Sequence, residues 1–123
     1  MWKRSVSWAY MKVSHVSMKI SWDETLISGP GEAIPELIYG GFYSAEEAFT
    51  GTEYPYEGIA TCFQKDDEVL VFGLCNDAVG YIVPDNDYSS SGKEGHYEET
   101  VSTGSKSGTA FSKAFFELLD VWG

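Results

Sequence analysis

The chain has 123 residues, with 19 acidic against 8 basic side chains for a formal net charge of −11, and is 43% hydrophobic and 15% aromatic. That length suits one domain, or part of one, and the apolar content is enough for a core, which excludes a wholly disordered chain. A polyanion would meet a repulsive field, so nucleic acid and anionic membrane surfaces are poor partners, and no stretch reaches the roughly 18 apolar residues of a membrane span.

Taken in order, residues 5–20 read as strand. Val6, Trp8 and Tyr10 share one parity, Met11 and Val13 the other, and Val16, Met18 and Ile20 return to the first. Such slips of phase predict a bulge or two short strands. Lys3 and Arg4 precede no sustained apolar core, so no signal peptide is expected. His15 reads as an ordinary strand residue. Residues 22–24 should turn the chain, and 25–28 form a short strand ended by Gly29, Pro30 and Gly31. Residues 32–39 then read as a helix, with Pro35 in its opening turn, where a missing N–H costs little, and Gly40 and Gly41 as the stop. Glu32 would stand at this strand-to-helix junction as a favourable charge at a helix start.

Ser44 and Glu47 make a capping box for one short helical turn. Residues 50–66 read as a connecting loop with a short extended or helical piece at 59–63, and Asp66, Asp67 and Glu68 mark a solvated turn. Residues 69–74, VLVFGL, form the most apolar run and read as a buried strand. The chain then enters a segment dense in groups that bind or react: Asn76, Asp77, Tyr81, Asp85, Asp87, His96, Tyr97 and Glu98. Polar groups delivered by a strand end are a common way to build a site on a sheet. Residues 81–83 are a second apolar run closed by Pro84, and 85–95 read as a mobile surface loop. Thr109 is placed to cap a last helix whose Phe111, Phe115, Leu118, Leu119 and Trp122 fall at helical spacing, widened by Phe116.

Motif chemistry is sparse. The two histidines, 15 and 96, have no HExxH spacing, and neither a GxSxG elbow nor a GxGxxG fingerprint occurs. Residues 104–108, GSKSG, lack phosphate-loop spacing. Asp85 and Asp87 are only a fragment of a calcium loop. Cys62 and Cys75 lack metal spacing, two cysteines do not make a disulfide framework, and Cys75 reads as a small buried filler. The residues themselves predict one soluble α/β domain over 1–123: a short central sheet with flanking helices, an amphipathic C-terminal helix, and a binding region from Asn76 to Tyr97. A turn at Asn76 and Asp77 with both tyrosines merely packed would give the same pattern.

Three segments, in this order, carry a resemblance: GPGEAIPEL at 29–37, VFGLCNDAVGYIVPDNDY at 71–88 and HYEETVSTG at 96–104. Together they resemble the later part of the catalytic domain of the neutral/alkaline, non-lysosomal ceramidase family, especially its uncharacterised prokaryotic relatives. The resemblance implies a zinc ion held by two histidines from earlier in the domain, a Glu and a Tyr, and cleavage of an N-acyl amide. Carried over by motif, Glu32 and Tyr81 match the metal-binding Glu and Tyr. Tyr97 matches a tyrosine that hydrogen-bonds the reacting amide oxygen, and Asn76 and Asp77 fall in a binding segment. Zinc would lower the pKa of bound water and polarise the carbonyl, with a phenol donor stabilising charge on its oxygen. The family's two histidines, its Arg and its Ser belong to segments N-terminal to anything in this chain, and Ala78 stands where characterised members have a further Tyr. With two of four ligands, tight zinc binding is not expected. The chain is expected to correspond to the back half of such a domain, without independent activity, and to meet a missing N-terminal half or another copy of itself; the alternatives are a zinc-dependent N-acyl amide hydrolase completed by a partner, and a small-molecule or protein-binding module using Asn76, Tyr81 and Tyr97.

Overall fold

The computed structural model describes residues 2–9, 11–19, 24–63, 68–89 and 96–122, with side chains described for 25–63, 68–89 and 96–120. It has a mixed α/β fold with two small sheets. In the first, β1 (Trp2–Ala9) and β2 (Met11–Lys19) form an antiparallel hairpin, β3 (Glu24–Ser28) pairs antiparallel with β2, and β5 (Glu68–Phe72) runs parallel to β3. The second is a parallel pair of two-residue strands, β4 (Glu32–Ala33) and β6 (Tyr81–Ile82). The first phase slip thus falls between the end of β1 at Ala9 and the start of β2 at Met11, whereas β2 runs unbroken through the second slip at His15. Residues 20–23, 64–67 and 90–95 lie outside the described residues, and with them most of the expected turns at 22–24 and 66–68 and the end of the expected loop; Glu24 and Glu68, expected in those turns, are the first residues of β3 and β5.

The two sheets are one parallel ladder interrupted. From Ser28 to Glu32 the first chain segment advances four residues, while its partner advances nine, from Phe72 to Tyr81. The surplus leaves as an excursion over 73–79. It is stitched at both ends, with Gly29 N donating to Phe72 O (2.9 Å), Cys75 N to Gly29 O (2.9 Å), Val79 N to Pro30 O (3.1 Å) and Glu32 N to Gly80 O (3.0 Å). The ladder therefore re-forms in a fixed register after the break.

Helix α1 (Pro35–Tyr39) opens on Pro35 and stops at Gly40 (φ 70°), and a 3-10 turn covers Ile59–Cys62. Helix α2 is Tyr97–Thr100 and α3 is Ser107–Trp122. Ile27, Leu37, Ile38, Ile59, Ile82, Phe111 and Phe115 form the core where the ladder, α1, the 3-10 turn and α3 meet. Each such side chain stabilises the fold by about 1.5–3 kcal/mol through removal from water. Much of the aromatic excess fastens the loop before the 3-10 turn onto α3: Tyr56 stacks on Phe116 at 6.0 Å, and Tyr54 Oη meets the fully buried Ser112 Oγ at 3.0 Å. Burial raises the Tyr54 pKa, so its hydroxyl remains a neutral partner.

The capping box closes the one short turn expected of it, with Ser44 Oγ donating to Glu47 Oε2 at 2.8 Å and Ala48 N to Ser44 O at 2.9 Å. Three expectations are corrected. β5 is not a buried strand: Val71 and Phe72 are exposed, Phe72 by 50%, and among the described residues β3 is its one strand neighbour, so it stands at the edge of the sheet. Residues 85–89 are packed, with Asn86 and Ser89 buried, because Asn86 O accepts Thr50 N at 2.9 Å and its Nδ2 donates to Thr52 O at 3.0 Å. Finally, α3 begins at Ser107, and Thr109 N donates to Asp85 Oδ1 at 2.9 Å, so the cap comes from across the chain. Cys62 and Cys75 are free thiols, the first exposed and the second half-buried.

Candidate functional site

Glu32 does not start a helix. It lies in β4, three residues before Pro35, directly opposite Tyr81 of β6. Register partners on neighbouring strands share a face of the sheet, so the carboxylate and the phenol stand side by side. The Tyr81 pKa is raised from the ordinary 10.0, first by hydrogen bonding to the Glu32 carboxylate, then by its charge, with Tyr97 and Glu98 adding smaller contributions. A phenol that donates to a carboxylate resists losing its proton.

Close backbone approach makes this register possible. A Cβ on Gly31 would meet Gly80 O and the Ile82 and Val79 side chains, and one on Gly73 would lie 2.9 Å from Gly31 O. Gly80 has φ 78° and lies against Val101 O, next to the bridge between Tyr81 and Ser102. Only glycine tolerates both constraints.

Tyr97 arrives from α2. Its ring meets that of Tyr81 edge-on, with centroids 6.2 Å apart and planes inclined by 74°. The placement of α2 depends on Glu99, buried and engaged on several sides. Its Oε1 accepts from Ser89 N at 3.1 Å and from His96 Nδ1 at 2.7 Å, while Tyr88 Oη donates to Glu99 O at 3.3 Å. Burial alone would push the Glu99 carboxyl up, but hydrogen bonds from the Ser89 N–H, its own N–H and His96 outweigh it and hold the pKa below 4.5. An ionised carboxylate only accepts, so His96 carries its proton on Nδ1. The His96 ring also meets Phe49 at 5.8 Å, whose N–H donates to Asp87 Oδ1 at 3.0 Å.

Glu32, Tyr81 and Tyr97 are therefore brought together by three elements, with Glu98 near enough to act on Tyr81 through its charge. Asn76 and Asp77 stand in the excursion. Asn76 is left-handed (φ 67°), as is Leu74 (φ 53°), and Asp77 Oδ1 accepts the N–H of Ala78 at 2.8 Å. Leu74 is the costlier of the two, since a bulky residue disfavours this conformation. His15 lies in β2, paired in register with Ser5. The sequence places Glu98 among the reactive groups of this segment but gives Glu99, which holds α2 in place, no role. The i, i+3 spacing of His96 and Glu99 was the one local signal for their pairing.

The donor set was tested against a zinc ion. Among the described residues no three His, Cys, Asp or Glu side chains gather closely enough to hold a metal. A carboxylate and a phenol are two oxygen donors where a catalytic zinc takes three protein ligands, so by themselves these residues do not fit one. No helix among the described residues is long and apolar enough to cross a membrane. No protein-family model, curated protein or solved structure matches this chain.

Proposed function

We propose that this chain is a ceramidase-like half-domain that contributes Glu32, Tyr81 and Tyr97 to an N-acyl amide hydrolase site, and that it has no hydrolase activity alone. The observation carrying this reading is the register of β4 against β6, which sets the carboxylate after Gly31 beside the phenol after Gly80. Residues 49 apart in sequence meet there, next to a third aromatic residue that the same resemblance singled out. In this reading Glu32 and Tyr81 are two metal ligands whose companions come from another polypeptide segment. Tyr97, largely exposed, is a hydrogen-bond donor for the amide oxygen.

A second observation supports the half-domain reading. Tyr39, Phe42, Phe49, Phe72, Leu74 and Val101 are all exposed, and large apolar side chains in such number suit surface that a further segment covers. That segment is the missing N-terminal half, or a second copy of this chain in its absence.

Zinc content after dialysis and hydrolysis of a fluorogenic N-acyl amide test the proposal. The chain alone should retain no stoichiometric zinc and show no turnover with zinc added. Joined to a polypeptide bearing the histidine ligands, it should retain zinc, and Glu32→Ala should release it. Stoichiometric zinc and turnover in the isolated chain would overturn the reading, as would a completed domain indifferent to Glu32→Ala. Sedimentation adds a check, since a clean monomer would count against self-association.

A further inference from the structure

Two aromatic rings and two carboxylates converge at the exposed edge of the small sheet. Glu32 stands opposite Tyr81 in the register of β4 and β6, Glu98 follows Tyr97 in α2, and the Tyr81 and Tyr97 rings are nearly perpendicular with centroids 6.2 Å apart. The two lysines whose ion pairs are described lie elsewhere, Lys106 on Asp85 at 3.0 Å and Lys113 near Glu117 at 3.8 Å. Among the described residues the corner is therefore anionic and aromatic at once.

A cation within about 6 Å of a ring centroid is attracted by the negative face of the ring. Rings at this separation and inclination leave positions from which one cation reaches both. Tyr97 is 65% exposed, so its ring is accessible without rearrangement. An inorganic cation needs a closed shell of oxygen ligands, which the described residues do not gather. An organic ammonium group needs none. Its charge is spread over alkyl groups that rest against aromatic faces, while carboxylates one shell further out balance it.

We infer that Tyr81, Tyr97, Glu32 and Glu98 form a binding site for the alkylammonium head group of a small molecule. The inference uses residues of the proposed half-site and deepens that reading by naming a ligand class, but it does not depend on zinc. A chain lacking the other metal ligands still presents two rings and two negative charges. Tyr97 serves here through its ring, whereas the hydrolase reading requires its hydroxyl.

The test is an NMR titration of tyrosine-labelled protein with choline, chelator present throughout. The comparison ligand is the neutral carbon isostere of choline, with a tert-butyl group in place of trimethylammonium. Choline should shift the Tyr81 and Tyr97 signals saturably, and the isostere should bind at least about fivefold more weakly. Tyr97→Leu should weaken choline by about fivefold or more, while Tyr97→Phe, which keeps the ring, should retain binding. Glu32→Gln should weaken choline and reduce its salt dependence. Equal binding of choline and isostere, no saturable shift, or indifference to Tyr97→Leu in a folded variant would overturn the inference. Because no metal takes part, a failure here is separate from a failure of the zinc experiment.

Discussion

Gly41 and Gly80 share a backbone conformation and differ in surroundings, so the pair isolates what close approach contributes to the site. Their φ values are 77° and 78°. Alanine at either position must hold a left-handed conformation, at about 1–2 kcal/mol for an L-residue. At Gly41 the added Cβ meets nothing within 4 Å. At Gly80 it would run into the carbonyl oxygen of Val101, a backbone atom held by the neighbouring bridge between Tyr81 and Ser102. Relief requires β6 and the 101–102 segment to separate, and overpacking of this kind adds about 1–3 kcal/mol. Gly41→Ala should therefore lose about 1–2 kcal/mol and Gly80→Ala about 2–5 kcal/mol in urea unfolding. A domain of ordinary stability, about 5–15 kcal/mol, leaves both variants measurable. Equal losses would refute the reasoning, because they would mean that nothing stands against Gly80 and that the strand carrying Tyr81 is not fixed by its neighbour.

Three further outcomes are expected. Leu37→Ala should cost about 2–5 kcal/mol in thermal unfolding, whereas Val71→Lys, on the exposed edge strand, should stay within about 0.5 kcal/mol; comparable losses would mean the edge is covered. Glu99 titrates below the ordinary 4.5, so its contribution to stability is complete above that value and disappears as pH falls through the lowered folded value. Glu99→Gln should flatten that part of the acid arm of stability against pH, and an unchanged arm would contradict the clasp around α2. Asp85→Ala should cost about 1 kcal/mol and speed hydrogen exchange at the Thr109 amide; unaltered exchange there would remove Asp85 as the cap of α3.

What the sequence made legible was local. The parity slip around Tyr10 marks a boundary between two strands, Pro35 and Gly40 bracket α1, and the Phe111 and Phe115 spacing identifies the buried face of α3, because each depends on neighbours within a turn or a strand. What stayed hidden depends on distant partners. An apolar run such as 69–72 reads the same whether one side or both sides of the strand are covered, so β5 passed for buried. Glu32 passed for a helix-start charge because its real partner, Tyr81, is remote in the chain and is found through a parallel register that no local pattern encodes. Asp85 and Thr109 illustrate the same point, since a cap supplied from 24 residues away leaves no capping box to read. For the site, short motif resemblance singled out Glu32, Tyr81 and Tyr97, which the fold brings together. Periodicity and composition had no means of joining them.

The claim on which the account turns is that the Glu32 carboxylate faces the Tyr81 hydroxyl, and titration of Tyr81 by NMR in metal-free protein tests it most directly. The phenol should titrate above the ordinary 10.0 in the wild-type chain and fall back toward it in Glu32→Gln, as the charged acceptor is lost. A Tyr81 that titrates at the ordinary value and ignores Glu32→Gln would contradict the pairing of β4 with β6, and with it both the half-site and the ammonium site built upon it.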